Sequence, residues 1–188
     1  MITVDHSTQN KKVNPQKFAM WIAIGSIIMM FAGFTSGLIV RKSQGNWVTF
    51  EIPHIFYIST VIILLSSLFM HLSLRTFKAR EMKKHELFVI LTMLSGLSFA
   101  ILQYVGFKQL FGVLPWNNNV SFQFIMVIIG VHAIHILGGV IALLVMFAIT
   151  FNRRKKVYSS NTLEIVSTYW HFVDILWIYL FVFFLVMS

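Results

Sequence analysis

The sequence predicts an all-α polytopic membrane protein, a bundle of five transmembrane helices, from its composition, its apolar runs and its charge pattern. Of its 188 residues, 57% are hydrophobic and only 11% are charged, and the mean hydropathy is +0.79. A soluble domain of this size could not bury so much apolar surface. The chain has no cysteine, which excludes disulfides, thiolate metal sites and covalently attached c-type haem.

Five apolar runs each reach the roughly 20 residues that a helix needs to cross a bilayer. The spans they predict are Phe18–Val40, Ile52–Leu74, Leu87–Leu110, Val120–Phe151 and Leu163–Met187. The first run follows a polar segment and is too long for a signal-peptide core, so we expect it to be retained. Residues 1–16 are predicted to form a flexible polar tail. Residues 17–188 are predicted to form one transmembrane domain, because the loops between the runs are short.

The basic residues predict the orientation of the bundle. Of the 15 lysines and arginines, only Arg41, Lys42 and Lys108 fall on one side of the membrane, and the tail and the second and fourth loops carry the others. The positive-inside rule therefore places the N-terminus in the cytoplasm and the C-terminus in the periplasm. This topology accounts for the net charge of +9, and no nucleic-acid partner is expected.

Polar side chains on the third, fourth and fifth helices each fall on one face when plotted at about 100° per residue. The candidate site residues on these faces are Gln103 on the third helix, His132 and His135 on the fourth, and Glu164, His171 and Asp174 on the fifth. Such faces must contact protein rather than lipid, because unsatisfied polar groups in hydrocarbon are costly. The polar stripes therefore predict that these three helices share an interior.

Spacing alone leaves three interpretations of these residues open. His132, His135, His171 and Asp174 could supply a metal or haem site, since imidazole and carboxylate suit several transition metals. They could also form a proton relay. The simplest interpretation is interhelical hydrogen bonding, in which Asp174 fixes His171 and Glu164 pairs with a cation at the membrane edge.

Four stretches of the chain resemble the subunit III family of haem-copper oxidases, the third subunit of cytochrome c oxidase and its relatives. In the family's order, they are KFAMWIAIGSIIMMFAGFTSGLIVRK (17–42), LTMLSGLSFAILQYVGFKQL (91–110), GVHAIHILGGVIALL (130–144) and YWHFVDILWIYLF (169–181). The resemblance runs from about Lys17 to the end of the chain. It is similar to the short, five-helix bacterial form of the family.

The resemblance implies an accessory subunit of a proton-pumping terminal oxidase that reduces oxygen to water in aerobic electron transport. Oxidase subunit I would be its direct partner, with subunit II and other respiratory-complex subunits also present. Haem and copper would lie in those partners and not in this chain. The family's described roles are stabilising subunit I, holding lipid and sustaining proton uptake and turnover. Bound phospholipid and a location in the bacterial cytoplasmic membrane are therefore expected.

For the site, the resemblance implies a structural polar seam and no catalytic, cofactor-binding or metal-binding residue. The seam would contain His132, His135, Glu164, Trp170, His171 and Asp174, with Gln103 on the polar face of the third helix. Two positions depart from the family pattern. Ile27 and Gly106 stand where the family has glutamates, so the roles of those acids are not carried over. The chain could be the principal subunit III or a second, divergent copy.

Other functions are compatible with the same residues. A related protein associated with nitric oxide reductase would have similar motifs. A stand-alone membrane haem or metal redox protein would bind its own cofactor, and a small transporter would move a substrate by itself. The electron donor of an oxidase complex, cytochrome c or quinol, would be determined by a site in other subunits.

Overall fold

The five predicted membrane spans are present as five long α-helices. The computed structural model describes residues 14–45, 51–113, 120–151 and 160–188. Within these ranges the helices are α1 (Pro15–Ser43), α2 (Ile55–Lys78), α3 (Met82–Val113), α4 (Val120–Phe151) and α5 (Ser160–Met187), and there is no strand. All five are long and apolar enough to cross a membrane, which confirms the predicted fold class. The orientation of the termini stays a prediction.

The helices extend beyond the predicted spans at their charged ends. α1 begins at Pro15, and the Asn14 side chain accepts a hydrogen bond from the backbone N–H of Gln16 at 3.1 Å. Proline suits the first turn, where its missing N–H would have no helical partner. Pro15 and Gln16 therefore belong to the first helix and not to the tail, and residues 1–13 lie outside the described ranges.

The connection between α2 and α3 is shorter than the apolar runs indicate. α2 continues to Lys78 and α3 begins at Met82, which leaves only residues 79–81 between them. Arg80 takes a positive φ of 60° in this turn. The end of α2 and the start of α3 can extend beyond the hydrocarbon core because they reach the hydrated headgroup layer. There Arg75 and Lys78, in the last turn of α2, also complement the helix dipole.

Four helices, α2 to α5, form a ring, and α1 packs on the outside of this ring. α2, α3, α4 and α5 contact one another in that cyclic order, whereas α1 packs against α4 and α5. In the described parts of the chain, α1 does not pack against α2 or α3. The most apolar stretch of α5 is 56% buried, compared with 22% for α1. α5 is therefore the most buried of the five helices.

α2 and α3 approach each other closely at Gly106. A Cβ atom built on Gly106 would lie 2.5 Å from Cε1 of Phe56 and 2.8 Å from Cγ2 of Ile55. The Phe56 ring is buried and lies 5.3 Å from Phe107 and 5.5 Å from Trp177, measured between ring centroids. A glutamate at position 106 could not fit without moving α2. The α2–α3 contact is thus tight at Gly106.

We predict that Gly106→Ala destabilises the bundle by about 1–3 kcal/mol, the usual cost of overpacking a filled core. The matched control is Gly112→Ala on the same helix, because a Cβ atom there would meet no described atom within 4 Å. Thermal unfolding of the purified chain in mild detergent should show a lower midpoint for Gly106→Ala alone. Equal midpoints for the two variants would show that the α2–α3 contact is not tight at Gly106.

Candidate functional site

The candidate site is the set of polar and aromatic side chains by which α5 joins its neighbours. Glu164 lies near the start of α5 and binds lysines from two other helices. Lys17 Nζ of α1 donates to Glu164 Oε2 at 2.5 Å, and Lys78 Nζ of α2 lies 2.9 Å from Oε1. The Glu164 side chain is 25% exposed, as expected at a membrane edge. This Glu164 clamp links the ends of α1 and α2, which do not otherwise pack together in the described structure.

Trp170 occupies a slot between α3 and α4. A Cβ atom on Gly96 would lie 3.0 Å from Cη2 and Cζ2 of the indole, and a Cβ atom on Gly139 would lie 3.0 Å from its Cζ3. The Trp170 Nε1–H donates to Ser66 Oγ of α2 at 3.2 Å. The ring is 1% exposed. The two glycines therefore let Trp170 pack tightly against α3 and α4, and the indole contacts α2 as well.

His171 contacts both a serine of α2 and the predicted carboxylate of Asp174. Its Nδ1 hydrogen-bonds Ser67 Oγ of α2 at 2.6 Å, whereas Asp174 Oδ2 lies 3.7 Å away, beyond hydrogen-bond distance. Asp174 is 2% exposed, and neither of its oxygens has a hydrogen-bond partner among the described residues. The expected pairing of Asp174 with His171 is therefore present as an ion-pair contact, and Ser67 makes the hydrogen bond to the imidazole.

The two histidines of α4 pack against aromatic rings. His132 is fully buried and stacks on Trp177 at 5.5 Å and 18°, and neither of its ring nitrogens has a hydrogen-bond partner in the described ranges. His135 Nδ1 lies 2.7 Å from the carbonyl of Val131 in its own helix. The edge of the Phe31 ring from α1 contacts both imidazoles. These histidines therefore help to seat α1 against α4.

Among the other hydrogen bonds that cross between helices, three involve the side chains of Gln103, Trp177 and Tyr179, and most of their members were not among the predicted site residues. Gln103 Nε2 of α3 donates to Ser59 Oγ of α2 at 3.0 Å. The other bonds are Trp177 Nε1–H to Thr60 Oγ1 at 3.0 Å and Tyr179 Oη with Thr35 Oγ1 at 2.7 Å. Serines and threonines in otherwise aliphatic helices were the sequence signal for these partners.

The predicted seam residues thus fall into separate contacts that share α5, rather than one continuous hydrogen-bonded chain. Glu164 contacts α1 and α2, Trp170 contacts α2, α3 and α4, and His171 contacts α2. Among the residues that the structure describes, no three His, Asp or Glu side chains converge to hold a metal ion. His132, His135, His171 and Asp174 are therefore not gathered at one point in the described structure.

An apolar groove of about 710 Å³ lies between α1 and α5. Trp21 and Ile28 line it from α1, and Thr168, His171 and Tyr179 line it from α5. A smaller concavity that includes Trp21, Thr168 and the Lys17–Glu164 pair adjoins it. The groove therefore has an apolar body and a charged end formed by the Glu164 clamp.

The fold and these contacts define a polytopic membrane protein whose interior polar side chains connect its helices. The sequence matches the family model described as "Cytochrome c oxidase subunit III" over residues 27–188, and the chain belongs to that family. It is therefore a member of the haem-copper oxidase subunit III family and a multi-pass bacterial membrane protein.

Two similar proteins are both named as a third subunit of an oxidase. The chain is 28% identical over 190 residues to the "Probable quinol oxidase subunit 3" of Staphylococcus haemolyticus (strain JCSC1435), an alignment that covers 95% of this chain and 91% of that protein. It is 26% identical over 187 residues to the protein of the same name from Staphylococcus aureus (strain USA300), with the same two coverages. The similarity to these relatives thus extends over almost the whole of each chain.

We predict that Glu164→Gln lowers the stability of the bundle by about 1 kcal/mol, because ion pairs at exposed edges contribute little even when paired twice. The effect should shrink in high salt, which screens such pairs. The control is Glu81→Gln, which removes an exposed pair with Lys84 within one turn. The unfolding midpoints of the two variants, recorded at low and at high salt, measure the stability loss and its salt dependence. If Glu164→Gln behaves as Glu81→Gln does, the clamp contributes no more to stability than a single exposed ion pair.

Proposed function

We propose that this chain is the non-catalytic subunit III of a proton-pumping haem-copper terminal oxidase in the bacterial cytoplasmic membrane. Oxygen would be reduced to water in subunit I, the direct partner, and subunit II would complete the complex. The observation that carries the proposal is that interior polar side chains of a subunit III family member, among them Gln103, Trp170 and His171, join its own helices by hydrogen bonds. Polar side chains that hold the bundle together are consistent with a subunit that supports the complex and does not catalyse the reaction.

The proposed role is to stabilise the complex and to support its turnover. The Glu164 clamp, the Trp170 slot and the His171–Ser67 bond hold α5 against the other four helices at several depths. A bundle fixed in this way presents a constant outer surface, which is rich in exposed large apolar side chains on all five helices. Such a surface suits contact with the helices of subunit I and with lipid.

We propose quinol rather than cytochrome c as the electron donor of the complex. The relatives at 26–28% identity are named as subunits of a probable quinol oxidase. The donor would bind in a partner subunit, so this proposal concerns the assembly that this chain joins. Turnover of the purified complex with a short-chain quinol, compared with reduced cytochrome c, distinguishes the two donors.

We propose that the groove between α1 and α5 holds a phospholipid. From Thr168 to Tyr179 the groove follows α5 for about 16 Å at 1.5 Å per residue, close to the roughly 15 Å depth of one hydrocarbon leaflet. At its charged end, Lys17 and Lys78 have side chains that are 39% and 56% exposed. These ammonium groups can approach a lipid phosphate while they remain paired with Glu164.

Co-purification tests the proposed function. The tagged chain is extracted from its native host in mild detergent, and the absorption spectrum, the copper content and the protein masses of the product are recorded. A haem and copper signal with a large subunit I is expected. Co-purifying nitric oxide reductase subunits would assign the chain to that complex instead. A lone chain with its own haem would reject an accessory role.

We predict that Asp174→Leu reduces the recovery of the assembled complex severalfold, whereas Leu185→Ala leaves it unchanged. Asp174 is buried and lies 3.7 Å from His171 Nδ1, while Leu185 is 38% exposed. Removing one member of a buried ion pair leaves the charge on the other uncompensated. Asp174→Asn, which keeps the shape and a polar group, should restore most of the recovery. Recovery is measured as haem per tagged chain. Similar recovery for Asp174→Leu and Leu185→Ala would show that Asp174 is dispensable for assembly.

A further inference from the structure

A histidine that takes no part in the contacts of α5 lies fully buried beside the turn between α2 and α3. His85 is the fourth residue of α3 and precedes the predicted span Leu87–Leu110, so it lies at the level of the hydrated headgroup layer. Its exposed fraction is 0%, whereas His71 of α2 is exposed. A buried titratable side chain needs hydrogen-bond partners, and His85 finds one on α2.

His85 connects the start of α3 to the last turns of α2. Its Nδ1 lies 3.0 Å from both the backbone carbonyl oxygen and the hydroxyl oxygen of Ser73. A carbonyl oxygen can only accept a hydrogen bond, so Nδ1 carries a hydrogen and donates it. The imidazole ring also packs against Phe77, with the ring centroids 5.1 Å apart. One side chain of α3 therefore holds both Ser73 and Phe77 of α2.

The connection that His85 closes consists only of residues 79–81. Arg80 has a φ of 60° in this turn, a backbone conformation that residues other than glycine seldom adopt and that persists where surrounding contacts enforce it. The backbone N–H of Glu81 donates to the carbonyl of Thr76, and that of His85 donates to the carbonyl of Glu81, both at 3.0 Å. The contact between His85 and Ser73 adds a side-chain bond that keeps this turn closed.

Charged side chains surround His85 at this end of the bundle. They are Lys17 of α1, Arg75 and Lys78 of α2, Glu81 in the turn, Lys83, Lys84 and Glu86 of α3, and Glu164 of α5, while residues 141–151 of α4 carry no charge. Glu81 and Glu164 are already paired with lysines. The carboxylate that favours a positive charge on His85 is that of Glu86.

Burial outweighs this attraction. Desolvation lowers the pKa of His85 from its usual value of 6.5, although the Ser73 hydrogen bond and the Glu86 carboxylate act in the opposite direction. Once the turn opens, the imidazole is hydrated and its pKa returns toward about 6.5. The open turn therefore binds a proton more readily than the closed turn does. The closed turn is most stable above about pH 6.5 and loses stability as the pH falls below that value.

We propose that His85 is a proton-sensitive lock on the α2–α3 turn, closed by the neutral imidazole and released when the imidazole is protonated and hydrated. Release frees Ser73 and Phe77 and with them the end of α2. Lys78 is the last residue of α2 and lies 2.9 Å from Glu164 Oε1, so release of the lock also weakens the Glu164 clamp. The lock thus couples the proton concentration at this membrane surface to the packing of α5.

Hydrogen–deuterium exchange tests the proposal on the tagged chain together with the subunits that accompany it. Peptides that cover residues 79–85 report opening, because the amides of Glu81 and His85 are bonded in the closed turn. After correction for intrinsic exchange, the opening equilibrium should rise about tenfold between about pH 7.5 and about pH 5.5, as expected for one histidine that titrates only in the open turn.

Two variants separate His85 from other titrating groups. His85→Asn should abolish the rise, because the asparagine amide can donate to Ser73 but does not titrate. The matched control is His71→Asn, which removes an exposed histidine of α2 and should keep the rise. Thermal midpoints of the two variants at neutral pH verify that both fold.

Two outcomes would overturn the proposal. Opening of the parent chain that does not change with pH would show that His85 does not control the turn. An equal rise in the parent chain and in His85→Asn would assign the pH dependence to another group. If His85→Asn does not fold, ¹⁵N spectra of the histidine-labelled parent chain decide the question, since a His85 ring that gains its proton while the turn stays closed would rule out the lock.

Discussion

The indole of Trp170 between Gly96 and Gly139 is the contact on which the rest of the bundle depends. The two glycines let α3 and α4 approach the ring on both sides, and Ser66 of α2 accepts its N–H in a medium that offers no water. One side chain of α5 therefore contacts three other helices at once. The remaining contacts of α5, through Glu164, His171 and Tyr179, add α1 and reinforce α2 at other depths.

This arrangement follows from the lipid environment in which the helices pack. Lipid tails are as apolar as leucine, so helices in a bilayer associate through close packing and interhelical hydrogen bonds rather than through the hydrophobic effect. The close approach at Gly106 and the Trp170 slot supply the packing, and serines and threonines of α2 supply the hydrogen bonds. α1 lies outside the ring and is held differently, by the Glu164 clamp, the Tyr179–Thr35 bond and the aromatic contacts of Phe31.

Hydropathy and charge were sufficient to predict the fold class and the five spans, because a spanning helix must be apolar and bonded within itself. The polar face of α5 was equally visible, since a carboxylate in hydrocarbon is rare and costly. The hydrogen-bond partners of that polar face could not be predicted from the sequence. Ser66, Ser67 and Thr60 are common in membrane helices, and only the three-dimensional arrangement pairs them with Trp170, His171 and Trp177. Spacing also brought Asp174 close to His171 without revealing that Ser67 makes the hydrogen bond.

A double-mutant cycle between Gly139 and Trp170 tests most directly whether the slot determines the packing. Gly139→Val should destabilise the chain by overpacking the ring, and Trp170→Leu should destabilise it by leaving a cavity. In the double variant the valine fills part of that cavity, so its loss should be smaller than the sum of the single losses by about 0.5–3 kcal/mol. Additive losses, measured by unfolding in detergent, would contradict the central role of the slot.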